Sequence, residues 1–215
     1  MRQWKSKKIS TQLKVGIVVA TYRQRQLLTL LRSLCDQTYQ YFQVVVAHDG
    51  PFDDKELART VLALGEHAPK FQFVSTSVRE NVFGHNCRRY GLRFLFPNSK
   101  DVPRGHRLPD CVMFTNGDNY YAPTFLEAMV FALQNADLAY CNCVHSHQRA
   151  GYCWQPMDTK LERGKIDVGC WVTRSDFVTL AEWGKGFAAD WDYLQQVLSR
   201  DPRVCKVKEF LFVHN

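Results

Sequence analysis

Several polar and charged residues of this chain follow directly on apolar runs, which is where chemistry-bearing side chains are usually found. Thr115-Asn116-Gly117-Asp118-Asn119 ends the run Cys111–Thr115. A carboxylate on a glycine-loosened turn there can reach a hard cation such as Mg²⁺, which takes one or two carboxylates plus phosphate oxygens of a substrate. The same residues are also ordinary turn material. Tyr22 and Asp49 stand just past two other apolar runs. An aromatic face and a carboxylate at neighbouring strand ends could hold a nucleobase by stacking and by accepting an N–H. The bland reading is a half-buried tyrosine and a turn aspartate. Asp190-Trp191-Asp192 opens a helical pattern. Either carboxylate suits a helix start, and one could serve as a general base. His214, at the tip of an apolar strand, gains meaning only if it faces Asp118. Cys141, Cys143, His145 and His147 alternate, with Cys153 nearby. A strand would line the first four on one face, but such positions spread too far for all four to share one zinc ion.

These residues need elements to position them. Lys14–Ala20, Gln43–His48, Phe71–Thr76 and Cys111–Thr115 read as short buried strands. Helical patterns fall between and after them, over residues 24–36, 53–67, 84–96 and 123–135. Leu27, Leu30, Leu31 and Leu34 mark one face of the first. Leu138–Val144, Ile166–Thr173 and Val204–Val213 read as further strands, and 174–183 and 188–200 as helices. The last strand alternates Cys205, Val207, Leu211 and Val213 with Lys206, Lys208, Phe210 and Phe212. Asn98–Pro109 and residues 146–165 read as loops, the second a mobile segment whose Tyr152 and Trp154 could close over a ligand. This alternation predicts a single-domain α/β fold with right-handed βαβ units: a mainly parallel central sheet with helices on both faces. Ligands bind such sheets at the carboxyl ends of their strands, where Tyr22, Asp49 and Asp118 fall.

Composition narrows the function. At 215 residues the chain has the length of one domain. The formal net charge is +7, but Arg2, Lys5, Lys7, Lys8 and Lys14 lie within the first 14 residues, with no acid among them. The body is therefore near neutral, which argues against a broad nucleic-acid footprint. Residues 1–13 read as a basic tail, most simply solvated charge, with weak contact to an anionic membrane surface as the other reading. No apolar run approaches the ~18–20 residues of a membrane span. The opening residues have no signal-peptide pattern, and the eight cysteines include no Cys-x-x-Cys. The expectation is a reduced, cytoplasmic protein, at most peripheral to the inner face of a membrane. The glycine-rich dinucleotide and P-loop motifs, the serine-hydrolase elbow and His-Glu-x-x-His are missing from the sequence.

Together the motifs resemble the family 2 glycosyltransferases, nucleotide-diphospho-sugar transferases of GT-A-type fold. VGIVVATYRQRQLLTLLRSLCDQTYQYFQVVVAHDG is similar to the family's opening strand, Leu-rich helix and strand ending in Asp-Asp-Gly. ENVFGHNCRRYGL resembles its Ala-Arg-Asn helix, FTNGDNYYAPTFLEAM its Asp-x-Asp turn, IDVGCWVTRSDF the strand before the acceptor site, and AADWDYL its Glu-Asp element. The resemblance runs over roughly residues 13–214 and makes 14–215 the glycosyltransferase domain. It implies that Thr21, Tyr22, Asp49, Arg88, Asn116 and Asp118 bind the nucleotide sugar. Asp118 and His214 would hold a divalent metal, Mn²⁺ or Mg²⁺, and Asp190 would be the catalytic base. Trp154, Gly169 and Asp192 would lie in the acceptor region. Ala20, Arg23, His48, Arg89, Asn116 and Ala189 depart from the family pattern. The expected activity is inverting transfer of a hexosyl or related sugar from a nucleoside-diphosphate sugar, UDP-sugars favoured, to a glycan or other hydroxyl acceptor. Two alternatives stay open: a non-catalytic nucleotide-sugar or glycan-binding domain of the same fold, and a small zinc-binding module built on Cys141–Cys153.

Overall fold

The computed structural model describes residues 12–22, 26–97, 107–145, 154–178 and 181–215. Most of the basic tail, Arg23, residues 98–106 of the 98–109 loop, and His147, Tyr152 and Cys153 lie outside these residues.

Strand β1 (Val15–Thr21) is buried along its whole length, as a β-branched run flanked by two parallel neighbours must be. It pairs in parallel with β2 (Phe42–His48) and β4 (Cys111–Asn116), and β2 pairs in parallel with β3 (Phe71–Ser75). The connecting helices are α1 (Leu27–Cys35), α2 (Asp54–Leu64) and α3 (His85–Leu95). Asp53 starts α2 by accepting from the main-chain N–H groups of Lys55 and Glu56, each at 2.9 Å, which satisfies two donors that a helix start leaves open. The remainder comprises β5 (Tyr120–Tyr121), α4 (Phe125–Ala132), β6 (Leu138–His145), β7 (Gln155–Met157), β8 (Trp171–Arg174), α5 (Ser175–Val178), α6 (Ala189–Leu198) and β9 (Val204–His214).

The sheet order is β3-β2-β1-β4-β8-β6-β9-β5, with β7 attached to β6. β8 runs antiparallel to both β4 and β6, while β9 runs parallel to β6. The sheet is therefore mixed but largely parallel, with β5, β7 and β8 reversed. Alternation along β1 sorts the core into two layers. Val15, Ile17 and Val19 pack with the apolar faces of α1 and α4. Val18 and Ala20 pack with α3 and α6. The expected α/β architecture with helices on both faces is present. No helix among the described residues is long and apolar enough to cross a membrane.

Four local expectations are corrected. The strand expected over Ile166–Thr173 begins only at Trp171, because residues 168–170 form a 3-10 turn started by Asp167, whose Oδ1 accepts from the Gly169 N–H at 2.8 Å. The helix expected over 53–67 ends at Leu64, and a 3-10 segment containing Pro69 follows. The strands β5 and β7 are too short for an alternation pattern to mark them. In β9 the even alternation fails. A bulge shifts the register so that Cys141 faces Val207 but Asn142 faces Phe210. Asn142 fills the irregularity by donating to the Lys208 carbonyl at 2.8 Å and accepting from the Thr159 N–H at 3.1 Å. After it, Leu211 and Phe212 are both buried and Phe210 is exposed. A bulge re-aims side chains in this way, and here it sets the approach to His214.

Gly91 lets α3 lie close on the sheet, since a Cβ there would come within 2.6 Å of Val18 Cγ1. Gly91→Ala should improve helix propensity by ~1 kcal/mol yet lose about 1–3 kcal/mol through overpacking, giving a net loss in denaturant unfolding. Gly186→Ala, where nothing lies within 4 Å of the added atom, should stay within about 0.5 kcal/mol of the parent.

Candidate functional site

The carboxyl ends of β1, β2 and β4 meet at one edge of the sheet, and two turns are tied together there. The Asp49 N–H donates to the Thr21 carbonyl at 2.9 Å, and the Gly117 N–H donates to the Ala20 carbonyl at 2.9 Å. The Asn116–Asn119 turn is closed by the Asn119 N–H on the Asn116 carbonyl, and by Asn119 Nδ2 on Thr115 Oγ1 at 3.0 Å. Thr21 Oγ1 is buried without a hydrogen-bond partner among the described residues. It lines a small cleft with His48, Phe52 and Phe73.

Asp49 is buried and organises the neighbouring turn. Its Oδ1 accepts from the Glu80 N–H (2.9 Å) and from Asn86 Nδ2 (3.0 Å), and its Oδ2 from the Asn81 N–H (2.9 Å). Burial works to raise its pKa, but these bonds and the Arg79 charge hold it below the ordinary carboxylate value. The guanidinium of Arg79 lies over the Tyr22 ring at 3.6 Å, so one face of the expected stacking surface already carries a cation. Arg79 and Asn86 were not legible as site residues, since nothing in the local sequence marks them as partners of Tyr22 and Asp49.

Arg88, on the first turns of α3, is 2% exposed. Nη1 donates to the Phe83 carbonyl (3.2 Å) and to His85 Nδ1 (2.9 Å), and Nη2 donates to Asn116 Oδ1. Because Nδ1 accepts, His85 is neutral. Burial first, then the Arg88 charge, pull the His85 pKa down to about 4. Burial also lowers the Arg88 pKa, while Asp167, Asp190 and Asp118 oppose that shift. One buried cation thus faces three carboxylates from three separate segments. Asn116 engages it through the side-chain oxygen, which leaves the amide N–H₂ as the donor end.

The carboxylates differ in their surroundings. Asp190 stands in the first turn of α6, where its Oδ1 accepts from the Trp191 N–H at 2.8 Å. Burial foremost, and then Asp167, raise its pKa. Asp118 is also raised, by burial first, and its Oδ1 is buried without a hydrogen-bond partner among the described residues. His214 Nε2 lies 3.5 Å from Asp167 Oδ2, and both His214 and Asp167 act electrostatically on Asp118. As they stand, no three His, Cys, Asp or Glu side chains among the described residues are gathered into a metal site. The donor set of an orphaned buried carboxylate oxygen, a second carboxylate and an imidazole nevertheless fits a divalent cation. Sequence reasoning passed over Asp167. Its signal was a lone charge opening an otherwise apolar segment.

The residues expected near an acceptor come from three segments. Asp192 is exposed on the first turn of α6, and Trp154 is exposed just before β7. Gly169 is buried, where a Cβ would come within 2.5 Å of the Phe212 ring. Cys141, Cys143 and Cys170 are buried in the core. All described cysteines are free thiols. Burial pushes the Cys141 pKa up, so it packs as a small apolar group and not as a thiolate ligand. Of the rest of that suggested zinc cluster, His145 ends β6, and His147 and Cys153 lie outside the described residues.

The raised Asp190 pKa has a sign that can be tested. Between the unfolded carboxylate value near ~4 and the raised folded value, the native state holds more protons, so stability falls as pH rises through that window. Asp190→Asn removes the ionising group while keeping the acceptor for the Trp191 N–H. With chelator present, thermal unfolding at neutral pH should show a higher Tm for the variant, and the difference should vanish below pH ~4.

No protein-family model and no curated protein matches the sequence. Solved structures do match. S. aureus TarS superimposes at TM-score 0.70 with 14% identity, covering 94% of this chain and 37% of that one. Its residues 1–349 in complex with UDP-GlcNAc give 0.69, with 15% identity and 94% and 58% coverage. The mannosyltransferase PcManGT from Pyrobaculum calidifontis, in complex with GDP-Man and Mn²⁺, gives 0.67, with 14% identity and 96% and 58% coverage. The chain spans less than two thirds of the length of each. At such identity the likeness carries the architecture alone: this chain has the GT-A fold of the nucleotide-diphospho-sugar transferases.

Proposed function

We propose that the chain is an inverting glycosyltransferase that moves a hexosyl or related sugar from a nucleoside-diphosphate sugar, UDP-sugars favoured, to a hydroxyl acceptor. One observation carries the reading: at the carboxyl edge of a GT-A sheet, Asp190, whose pKa burial raises, and Asp118, whose buried Oδ1 has no hydrogen-bond partner among the described residues, flank a buried guanidinium. Complexes of fold neighbours with UDP-GlcNAc, and with GDP-Man and Mn²⁺, support the donor class.

Each residue then has a physical task. Thr21 Oγ1, without a partner among the described residues, offers a hydrogen bond to the nucleotide, and Tyr22 and Asp49 shape the turns around it. The Asn116 amide N–H₂, oriented by Arg88, suits a ribose hydroxyl or a phosphate oxygen. Asp118 and His214 would hold a divalent ion, which when bound supplies positive charge to the diphosphate oxygens. Asp190 accepts the acceptor hydroxyl's proton as that oxygen bonds to the anomeric carbon and the bond to the diphosphate oxygen breaks. A carboxylate with a raised pKa accepts a proton more readily. Displacement from the opposite face inverts the anomeric configuration.

Asp190→Asn should retain nucleoside-diphosphate affinity and lose transfer by ~10²–10⁴-fold, measured as product formation and as donor hydrolysis with Mn²⁺. The exposed Asp192→Asn should stay within a few-fold of the parent. An inactive Asp192→Asn beside an active Asp190→Asn would reverse the assignment. Absence of any turnover, with donor binding intact, would instead mark a binding domain of the same fold.

Calorimetric titration of UDP with Mn²⁺ and with chelator tests the metal. Affinity should be higher with Mn²⁺ in the unmutated protein. That difference should shrink in Asp118→Ala and in a chain lacking His214 and Asn215, with folding checked by circular dichroism. Equal affinity with and without Mn²⁺ in the unmutated protein would remove the metal from the reading.

A further inference from the structure

Two phenylalanines beside the site are turned to solvent. Phe83 is 60% exposed and Phe187 82%, although their segments are far apart in the sequence. Their rings meet edge to face, with centroids 5.5 Å apart and planes at 83°. Each lies on a segment tied to the site. The Phe83 carbonyl accepts from Arg88 Nη1. The turn carrying Phe187 is closed by the Ala189 N–H on the Gly186 carbonyl at 3.0 Å, and leads within three residues to Asp190. Phe83 also has φ +53°, a left-handed conformation that is strained for a residue with a Cβ. Such strain persists where the surroundings over-determine it, and it concentrates at ligand sites. Here Asp49 fixes Glu80 and Asn81, and Arg88 fixes Phe83 itself. The result is an apolar ring held out of the core, next to a second one.

We propose that Phe83 and Phe187 form the acceptor platform and that the acceptor is a neutral pyranose, its apolar C–H face lying on one ring with the other ring standing at its side, while a hydroxyl reaches Asp190. The proposal rests on the transferase reading. An aromatic face carries negative charge density, and the ring C–H groups of a pyranose carry the complementary sign. Phenylalanine adds no hydrogen-bonding group, so the platform positions the sugar by shape and apolar contact and leaves the reacting hydroxyl to Asp190. An anionic acceptor is disfavoured, because it would meet the ring faces and the charge of Asp190, Asp167 and Asp118 together. Burying a ring of this size against a flat apolar face recovers apolar area that the free protein leaves in water.

The test is saturation-transfer NMR on the full chain with methyl glucopyranoside, methyl galactopyranoside and methyl mannopyranoside, with glucose 6-phosphate as the anionic comparison, each with and without UDP and Mn²⁺. The ring C–H protons of at least one methyl pyranoside should receive saturation, and those of glucose 6-phosphate should not. The signal should fall on the order of tenfold in Phe187→Ala and in Phe83→Gly, and persist in Phe187→Trp. Glycine takes the positive φ without strain, so Phe83→Gly keeps the turn. UDP affinity should be unchanged in all three variants. No transfer to any methyl pyranoside, or equal transfer in the variants, overturns the platform, as does equal transfer to glucose 6-phosphate. A dimer in sedimentation that Phe187→Ala abolishes would also overturn it, assigning the pair to contact between copies. Ring-dependent pyranoside binding in a protein that binds neither UDP nor GDP would support the platform and overturn the transferase reading.

Discussion

A guanidinium removed from water must find compensation nearby, and the arrangement of this site follows from how Arg88 finds it. Its two terminal nitrogens reach a main-chain carbonyl, a neutral imidazole and a side-chain amide, while the charge is balanced through space by Asp118, Asp167 and Asp190. Those partners come from the turn before α3, the end of β4, the segment before β8 and the start of α6. Breaking a buried cation's compensation is strongly unfavourable, so these segments are held in relation to one another by a single side chain. The sheet brings the strand ends to one edge, and Arg88 gives that edge its geometry.

The same arrangement is locally unfavourable to stability. Asp118 and Asp190 are desolvated and their carboxyls hold protons more readily than usual. Thr21 Oγ1 and Asp118 Oδ1 are buried without partners among the described residues, and Asn81 and Phe83 take positive φ. Each of these costs something in the folded state, and all lie at the same edge. The stable part of the molecule lies below it, in the fully buried β1 and β4 and the two layers they separate. Asp49 is the contrast within the site. Its three accepted hydrogen bonds favour its charged form, and it serves as a fastener for the turn that carries Phe83.

The last strand shows how a remote packing detail reaches the site. The irregularity facing Asn142 sends Phe212 inward against Tyr121, under the 3-10 turn whose Gly169 leaves no room for a side chain. That packing seats Asp167 next to His214. Asp167 influences Asp118, Asp190 and Arg88 alike, so its position tunes both ends of the proposed reaction.

Much of the scaffold was legible in the residues because it depends on local regularities. The β-branched runs of β1 and β2 and the leucine spacing of α1 specify elements whatever surrounds them. The alternation of strand with helix then leaves few topologies. This is why Thr21, Asp49, Asn116 and Asp118 could be placed at one sheet edge from order alone. Asp167, Arg79 and Asn86 escaped because their significance lies in partners distant in the chain, and a single charged or polar residue carries no periodic signal. The β9 alternation misled because a bulge is decided by cross-strand fit, here by Asn142, and not by the strand's own pattern. The sequence by itself determined which elements form and which turns follow them, since helix and strand periodicity are properties of neighbouring residues. Only the tertiary structure decided which carboxylates share the field of Arg88 and which aromatic rings face water, since burial and charge coupling arise when segments far apart in the chain are brought into contact.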